Sequence, residues 1–261
     1  MVRLGKFLCL ILVLSVVGCR TPKDITYFQN LHDDTLFTVN SQGSEIKLNE
    51  GDKVSIIVSC RDANVAKMFN LVSVTQNLGT SYQNRISYYT VDDEGNIDFP
   101  VVGTITVKGL NRSQVCDIVK EKLISSEMVK DPVVTVEFVN MYFDILGEVA
   151  RPGRYTIDHD RITLLDALGM AGDMSILGKR CNLKVVRTEG DGRKVYTIDM
   201  TDGDSILNSP AFYLRQNDVV YVEANNYRKR QSIASGNTAY SPSFWISVAS
   251  FLMSVYVIFI R

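Results

Sequence analysis

A chain of 261 residues with 46% hydrophobic and 22% charged content can bury one or two domain cores, and it is too balanced in composition for a wholly disordered protein. Its formal net charge of −1 leaves no electrostatic footprint for nucleic acid. Five cysteines without a CxxC spacing indicate neither a zinc site nor a disulfide framework.

Arg3 and Lys6 precede an uncharged apolar run from Phe7 to Val17, and the run closes on Val16-Val17-Gly18-Cys19. A charged start, a short apolar run and a small residue at the break predict a secretory signal over residues 1–18. The four closing residues resemble the bacterial lipobox, which implies that Cys19 becomes the acylated first residue of a mature lipoprotein. An uncleaved anchor helix is the alternative, and the run is short for one. Loss of residues 1–18 removes two bases and no acid, so 28 basic groups become 26 against 29 acids, a net charge of −3. Cys9 leaves with the signal, while Cys60, Cys116 and Cys181 are expected as small buried hydrophobes. Residues 19–45 form a polar tether, with Tyr27-Phe28 expected to dock on the body.

A first domain is expected over residues 46–139. Ile46 to Val58 predicts strand, Gly51-Asp52 turn and strand, with Val54, Ile56 and Val58 alternating. Residues 61–88 are polar and predict a long excursion, partly loop. Tyr89 to Leu110 predicts two or three short strands, with a turn at residues 92–96 and a bend between Pro100 and Gly103. Asn111 with Gln114 three positions on predicts a capped helix whose apolar face is Val115, Ile118, Val119 and Leu123. Asp131-Pro132 ends that unit before a strand at residues 133–139.

A second domain is expected over residues 140–224. Tyr142 to Ile157 predicts two strands around Arg151-Pro152-Gly153, and Thr163 with Asp166 predicts a capping box opening a short helix that ends at Gly172. Leu183 to Arg187 and Lys194 to Ile198 flank Gly190-Asp191-Gly192 as a hairpin, and Phe212 to Val222 closes the unit. Two small mixed domains of this kind, followed by a membrane helix, give an α+β fold class. Residues 225–242, with Arg228-Lys229-Arg230 inside, are expected as a linker.

Residues 243–261 are expected as a C-terminal outer-membrane helix. Phe244 to Ile260 carries no charge, and at 1.5 Å per residue it reaches about 25 Å. Ser243, Ser247, Ser250 and Ser254 fall within an arc of roughly 60° together with Arg261, opposite Trp245, Leu252, Tyr256 and Phe259. The first group is the candidate pore-lining face and the second the candidate lipid-facing one. Close packing through small residues is the other explanation of the serines, and a snorkelling charge the other explanation of Arg261.

The V-D-x-x-G-x-I-x-x-P-x-V-G-x-I-x-V-x-G pattern within Tyr89 to Gly109, with Gly51-Asp52 before it, closely resembles the polysaccharide biosynthesis/export domain of outer-membrane capsule exporters. Leu146-Gly147-Glu148-Val149, Arg151-Pro152-Gly153, Leu164-Leu165-Asp166-Ala167 and Ala171-Gly172 are similar to the soluble-ligand-binding β-grasp domain that follows it in those proteins. The likeness covers about residues 46–224, with only one recognisable β-grasp unit. It implies an outer-membrane lipoprotein with its body in the periplasm, assembled as a ring homo-oligomer, an octamer being one size it allows. It also implies an inner-membrane polysaccharide co-polymerase or chain-length regulator as partner, and capsular or exopolysaccharide as the cargo.

Enzyme readings have little to stand on. The two histidines, His32 and His159, lie in unrelated contexts, and neither a G-x-S-x-G motif nor a phosphate-cradling glycine loop is present. Asp92-Asp93-Glu94 and the trio Asp199, Asp202 and Asp204 could be imagined as cation ligands, but their setting favours solvated turns. No catalytic residue, metal ligand or cofactor is expected. Two functions remain: an export conduit, or a periplasmic or surface glycan-binding lipoprotein that uses the β-grasp domain.

Overall fold

In the computed structural model, which describes residues 25–31, 45–70, 73–74, 84–85, 88–127, 129–190, 192–233 and 237–260, the first domain begins with a left-handed turn at Gly51, φ +78°. That turn delivers strand β1 (Lys53–Ser59), whose Val54, Ile56 and Val58 point into the core as their alternation requires. Helix α1 (Ala63–Phe69) follows, with Asp62 Oδ1 accepting from Asn64 N at 2.8 Å. It lies in the stretch expected to be an excursion. Seven residues carry no helical period long enough to see in sequence, and burial of Phe69 supplies what propensity does not.

Strands β2 (Ser73–Val74) and β3 (Asn84–Arg85) form a small pair. Strand β4 (Tyr89–Thr90) and the hairpin of β5 (Asn96–Phe99) and β6 (Gly103–Thr106) come next. Helix α2 (Arg112–Ser125) starts from the expected capping box: Asn111 Oδ1 accepts from Gln114 N at 2.8 Å and Gln114 Oε1 accepts from Asn111 N at 3.0 Å. Its Val115, Val119 and Leu123 are buried, Ile118 is half-buried, and the helix lies along strand β7 (Val133–Phe138). Strand β1 is central in the order β4-β1-β7 and is antiparallel to both neighbours. Phe69, Phe99 and Tyr89 cluster beneath this sheet, and burial pushes the Tyr89 phenol up to about 12.

The second domain holds β8 (Tyr142–Gly147), β9 (Gly153–Thr156), α3 (Leu164–Met170), β10 (Gly178–Glu189), β11 (Gly192–Ile198), α4 (Gly203–Leu207) and β12 (Val219–Ala224). Its five-stranded sheet runs β11-β10-β12-β8-β9, with β12 parallel to β8 and the other pairs antiparallel. Thr163 and Asp166 form the expected capping box on α3, whose Leu164, Ala167 and Leu168 are buried. Phe143, Ile145, Leu183, Ile198 and Val220 fill the centre, each contributing about 2 kcal/mol through burial.

None of the three cysteines expected as buried hydrophobes is fully buried: Cys60 and Cys116 are half-buried and Cys181 is exposed. Cys181 sits where β10 shifts register against β12 between Gly178 and Leu183 and the alternation of buried side chains is broken, so the irregular strand register rather than hydrophobicity sets its exposure. Three of the candidate cation ligands serve the backbone instead. Asp92 Oδ1 accepts from Glu94 N and Asn96 N, Asp199 Oδ1 from Thr201 N, and Asp202 Oδ1 from Asp204 N.

Residues 225–242, expected as a linker, contain helix α5 (Asn226–Gln231) and a 3-10 turn at Thr238–Tyr240. Helix α6 (Pro242–Ile260) closes the chain. The expectation of a C-terminal transmembrane helix is corrected here: among the described residues, no helix is long and apolar enough to cross a membrane. The helix has 19 residues, about 28 Å of rise, but Phe244 N is bonded back to Ser241 O and the Trp245 indole to Ala239 O. With its first turn tied to the preceding 3-10 turn and serines interrupting the rest, it falls short of a hydrocarbon core roughly 30 Å thick.

Candidate functional site at the domain seam and the C-terminal helix

The two domains meet through polar contacts that begin at Asp52. This carboxylate is 3% exposed, and it accepts from Asn49 N at 2.7 Å within its own domain and from Gln216 Nε2 at 2.5 Å across the seam. Burial raises its pKa, against the pull of those two donors. Around it, Ile46 N donates to Asp160 O at 3.0 Å, Arg161 Nη2 to Glu45 Oε1 at 2.9 Å, and Arg112 Nε pairs with Asp160 Oδ1 at 3.0 Å. Asn111 also bonds Glu45, so the residue that caps α2 ties it to the seam.

On the second-domain side, Arg187 and Asp218 form a buried pair. Arg187 Nε and Nη2 reach the two carboxylate oxygens, while Nη1 and Nη2 also donate to Pro210 O at 3.0 Å and Tyr213 O at 2.8 Å. Asp218 Oδ2 accepts in turn from Arg215 N at 2.8 Å, and Asn217 takes a left-handed φ of +63°. The pair thereby fixes the turn that presents Arg215 and Gln216 to the first domain. Between them lies a cleft of about 410 Å³, lined from one side by Lys47 and Asn49 and from the other by Thr188, Arg215 and Gln216.

Sequence reasoning placed Asp52 in a turn, Asn111 at a helix cap and Arg187 on a strand, but it assigned none of them to a seam and did not single out Gln216. A charged Arg187 inside an otherwise apolar alternation on β10 is a local signal that could have found them, because a buried guanidinium favours an acidic partner.

The tether residues Ile25–Leu31 strap onto the second domain, with the docking of Tyr27 and Phe28 as expected. Phe28 N donates to Met200 O at 3.3 Å and Gln29 N to Thr201 O at 2.7 Å. Tyr27 Oη donates to Asp173 Oδ1 at 2.5 Å, and Asn30 is held on both faces, its Oδ1 accepting from Gly203 N and its Nδ2 donating to Asp202 Oδ1. Cys19, the expected lipid site, lies outside the described residues.

The basic run 228–230 is used internally. Arg228 Nε bonds Glu148 Oε1 at 3.0 Å, Lys229 pairs with Glu223, and the Arg230 guanidinium lies 4.4 Å from the centre of the Tyr240 ring. Lys229, Lys179 and Asn182 together draw the Glu223 carboxyl down to about 2. Asn237 then bridges Arg230 Nε and Tyr227 O, so the passage from β12 to α6 is a knitted elbow.

Beyond the elbow, α6 leaves its apolar residues uncovered. Trp245, Leu252 and Tyr256 are each 60% or more exposed, and Phe251, Met253 and Ile258 are similarly bare. Ser243, Ser247, Ser250 and Ser254 are exposed too, but Ser247 Oγ donates to Ser243 O and Ser254 Oγ to Ser250 O, both at 2.9 Å. Half of the serine hydroxyls are therefore satisfied inside the helix. Arg261 and the side chain of Phe259 lie outside the described residues.

The family profile described as polysaccharide biosynthesis/export protein matches residues 40–139, and that described as SLBB domain matches residues 142–222. Among curated proteins, the chain is similar to the EPS I polysaccharide export outer membrane protein EpsA of Ralstonia nicotianae, 29% identical over 197 residues that make up 70% of this chain and 48% of the relative. It is also similar to the capsule polysaccharide export outer membrane protein CtrA of Neisseria meningitidis serogroup B, 27% identical over 196 residues, 73% of this chain and 47% of the relative. The chain thus spans about half the length of the curated relatives it matches. Carrying both domains, and aligning with these relatives across them, the chain belongs to the polysaccharide biosynthesis/export family.

Proposed function

We propose that this chain is a subunit of an outer-membrane polysaccharide exporter, a homo-oligomeric ring that passes capsular or exopolysaccharide from the periplasm to the cell surface. The observation that carries this reading is the alignment of both domains with relatives named as polysaccharide export outer membrane proteins. Those names support an outer-membrane location, and the family is one of export proteins, not of enzymes. Lipidation at Cys19 anchors the body, and an inner-membrane co-polymerase delivers the polymer.

The uncovered apolar residues of α6 support self-association, because a monomer would leave that surface in water. In the ring, the face bearing Ser243, Ser247, Ser250 and Ser254, with Arg261 beyond it, turns toward the channel axis. Trp245, Leu252, Tyr256 and Phe259 turn away from it. The helix acts there as a packing element between copies.

Deletion of residues 243–261 tests this reading. Surface polymer should be lost and the detergent-extracted particle should fall in mass, while the lipidated body stays folded. Unchanged surface polymer in the deletion strain, or a wild-type particle with the mass of a monomer, would overturn it.

A further inference from the structure

We propose that the seam cleft is a subsite for a carboxylate-bearing sugar residue, gripped by both domains at once. The choice of a sugar over another anion rests on the export reading; the choice of an acid rests on the cleft itself. Four charged residues line it: Glu45, Lys47, Arg187 and Arg215. Glu45 is held by Arg161, and Arg187 is spent on Asp218. Lys47 and Arg215 remain, both exposed; neither has a carboxylate within ion-pair distance among the described residues, and the acids that act on them from farther off, Glu45 on Lys47 and Glu189 on Arg215, are themselves held by Arg161 and Lys194. One comes from each domain. Two unpaired cations facing one cleft favour an anionic ligand, and the arginine fork suits a carboxylate.

The remaining lining suits hydroxyls. Thr188 is exposed, and the Asn49 amide offers an acceptor and, besides the N–H it gives to Lys47 O, a second donor. Gln216 has its Nε2 committed to Asp52, and its Oε1 is buried with no donor among the described residues. A buried acceptor without a donor is uncommon, and a sugar hydroxyl is a donor of the right size to relieve it after a small side-chain shift. The cleft is also stiff on the second-domain side, since the Arg187–Asp218 pair fixes the Arg215 backbone, so little ordering remains to oppose binding. Its volume of about 410 Å³ lies within the range of small-ligand sites.

A larger cleft, about 680 Å³, lies beside Cys60 and Val129, but its Arg61 and Lys130 are matched by Asp62 and Asp131, so it offers no such selection by charge.

The test is isothermal titration of the detergent-extracted full chain with an oligogalacturonate, with neutral maltohexaose and inorganic phosphate as the comparison ligands. The oligogalacturonate should bind, weaken with added salt, and lose about tenfold in affinity in each of Lys47→Gln and Arg215→Gln, the worth of about one charge-assisted contact. Both side chains are exposed, and an unchanged melting temperature of each variant keeps the comparison free of folding defects. No binding of the oligogalacturonate, equal binding of maltohexaose, phosphate binding of the same strength, or full affinity in both variants overturns the proposal. Because titration on purified protein is independent of transport, failure of the export reading would show separately, as surface polymer that persists without this protein.

Discussion

Arg187 and Asp218 face each other with Nη2 and Oδ2 2.6 Å apart, their side chains only 3% and 1% exposed. Removing one partner strands the other charge in the core, which costs about 3–5 kcal/mol. Arg187→Ala and Asp218→Ala are each expected to lower stability by that amount in urea denaturation. The double replacement Arg187→Met with Asp218→Leu should recover only part of it: no buried charge is left uncompensated, but Arg215 N, Pro210 O and Tyr213 O lose their partners.

Gly147 at the end of β8 has φ +93°, and a Cβ there would sit 2.0 Å from Val222 O on the parallel partner β12. The carbonyl belongs to a hydrogen-bonded strand and cannot move aside. Gly147→Ala should therefore cost about 3 kcal/mol or more, strain and clash together. Gly103, at φ +82° with nothing within 4 Å of the added carbon, is the control. Gly103→Ala should cost only the left-handed penalty, about 1–2 kcal/mol, in the same denaturation measurement.

Gly203 is close under the strap: a Cβ would come 2.4 Å from Leu31 Cδ2, a flexible side-chain end. Gly203→Ala should displace Leu31 and loosen residues 25–31 without unfolding the domain. Limited proteolysis should then cut the strap faster than in the parent, as in Asn30→Ala, with a melting temperature lowered by only a few degrees.

Two carboxylates give opposite pH signatures. The Glu223 carboxyl is drawn from 4.5 down to about 2 by Lys229, Lys179 and Asn182, so its contribution is present above about pH 4.5 and fades as pH falls toward 2. Asp52 is raised above 3.8 by burial, so its charged form penalises folding, and stability is lost as pH rises from 3.8 through its folded value. Thermal melts should show Glu223→Gln less stable than the parent at pH 7, with the gap closing in acid. Asp52→Asn should show no loss, or a gain, at pH 7 that shrinks in acid.

Much of the fold is visible in local sequence because its signals are local. The capping boxes at Asn111 and Thr163 each span four positions, and the hairpin at residues 190–192 is set by its glycines. The seam was not visible, because Gln216 and Asp52 stand 164 positions apart and nothing in either neighbourhood marks the other. Helix α1 was hidden by its length, and the exposure of Cys181 by a strand register that composition does not encode. Hydropathy misled at the C-terminus: counting uncharged residues from Phe244 credits the whole run to a span, whereas the bonds of Phe244 and Trp245 tie the opening turn to residues 239–241.

The elbow around Arg230, Asn237 and Tyr240 sets a mechanical tolerance. Helix α6 is a lever of 19 residues, about 28 Å long, hinged at that joint. A tilt of about 10° at the joint would swing the free end by about 5 Å, roughly one helical turn. A loose joint would let the lever sweep a wide cone about the second domain. By stacking one guanidinium on one ring and pinning it with one amide, the chain fixes the aim of α6 at its base.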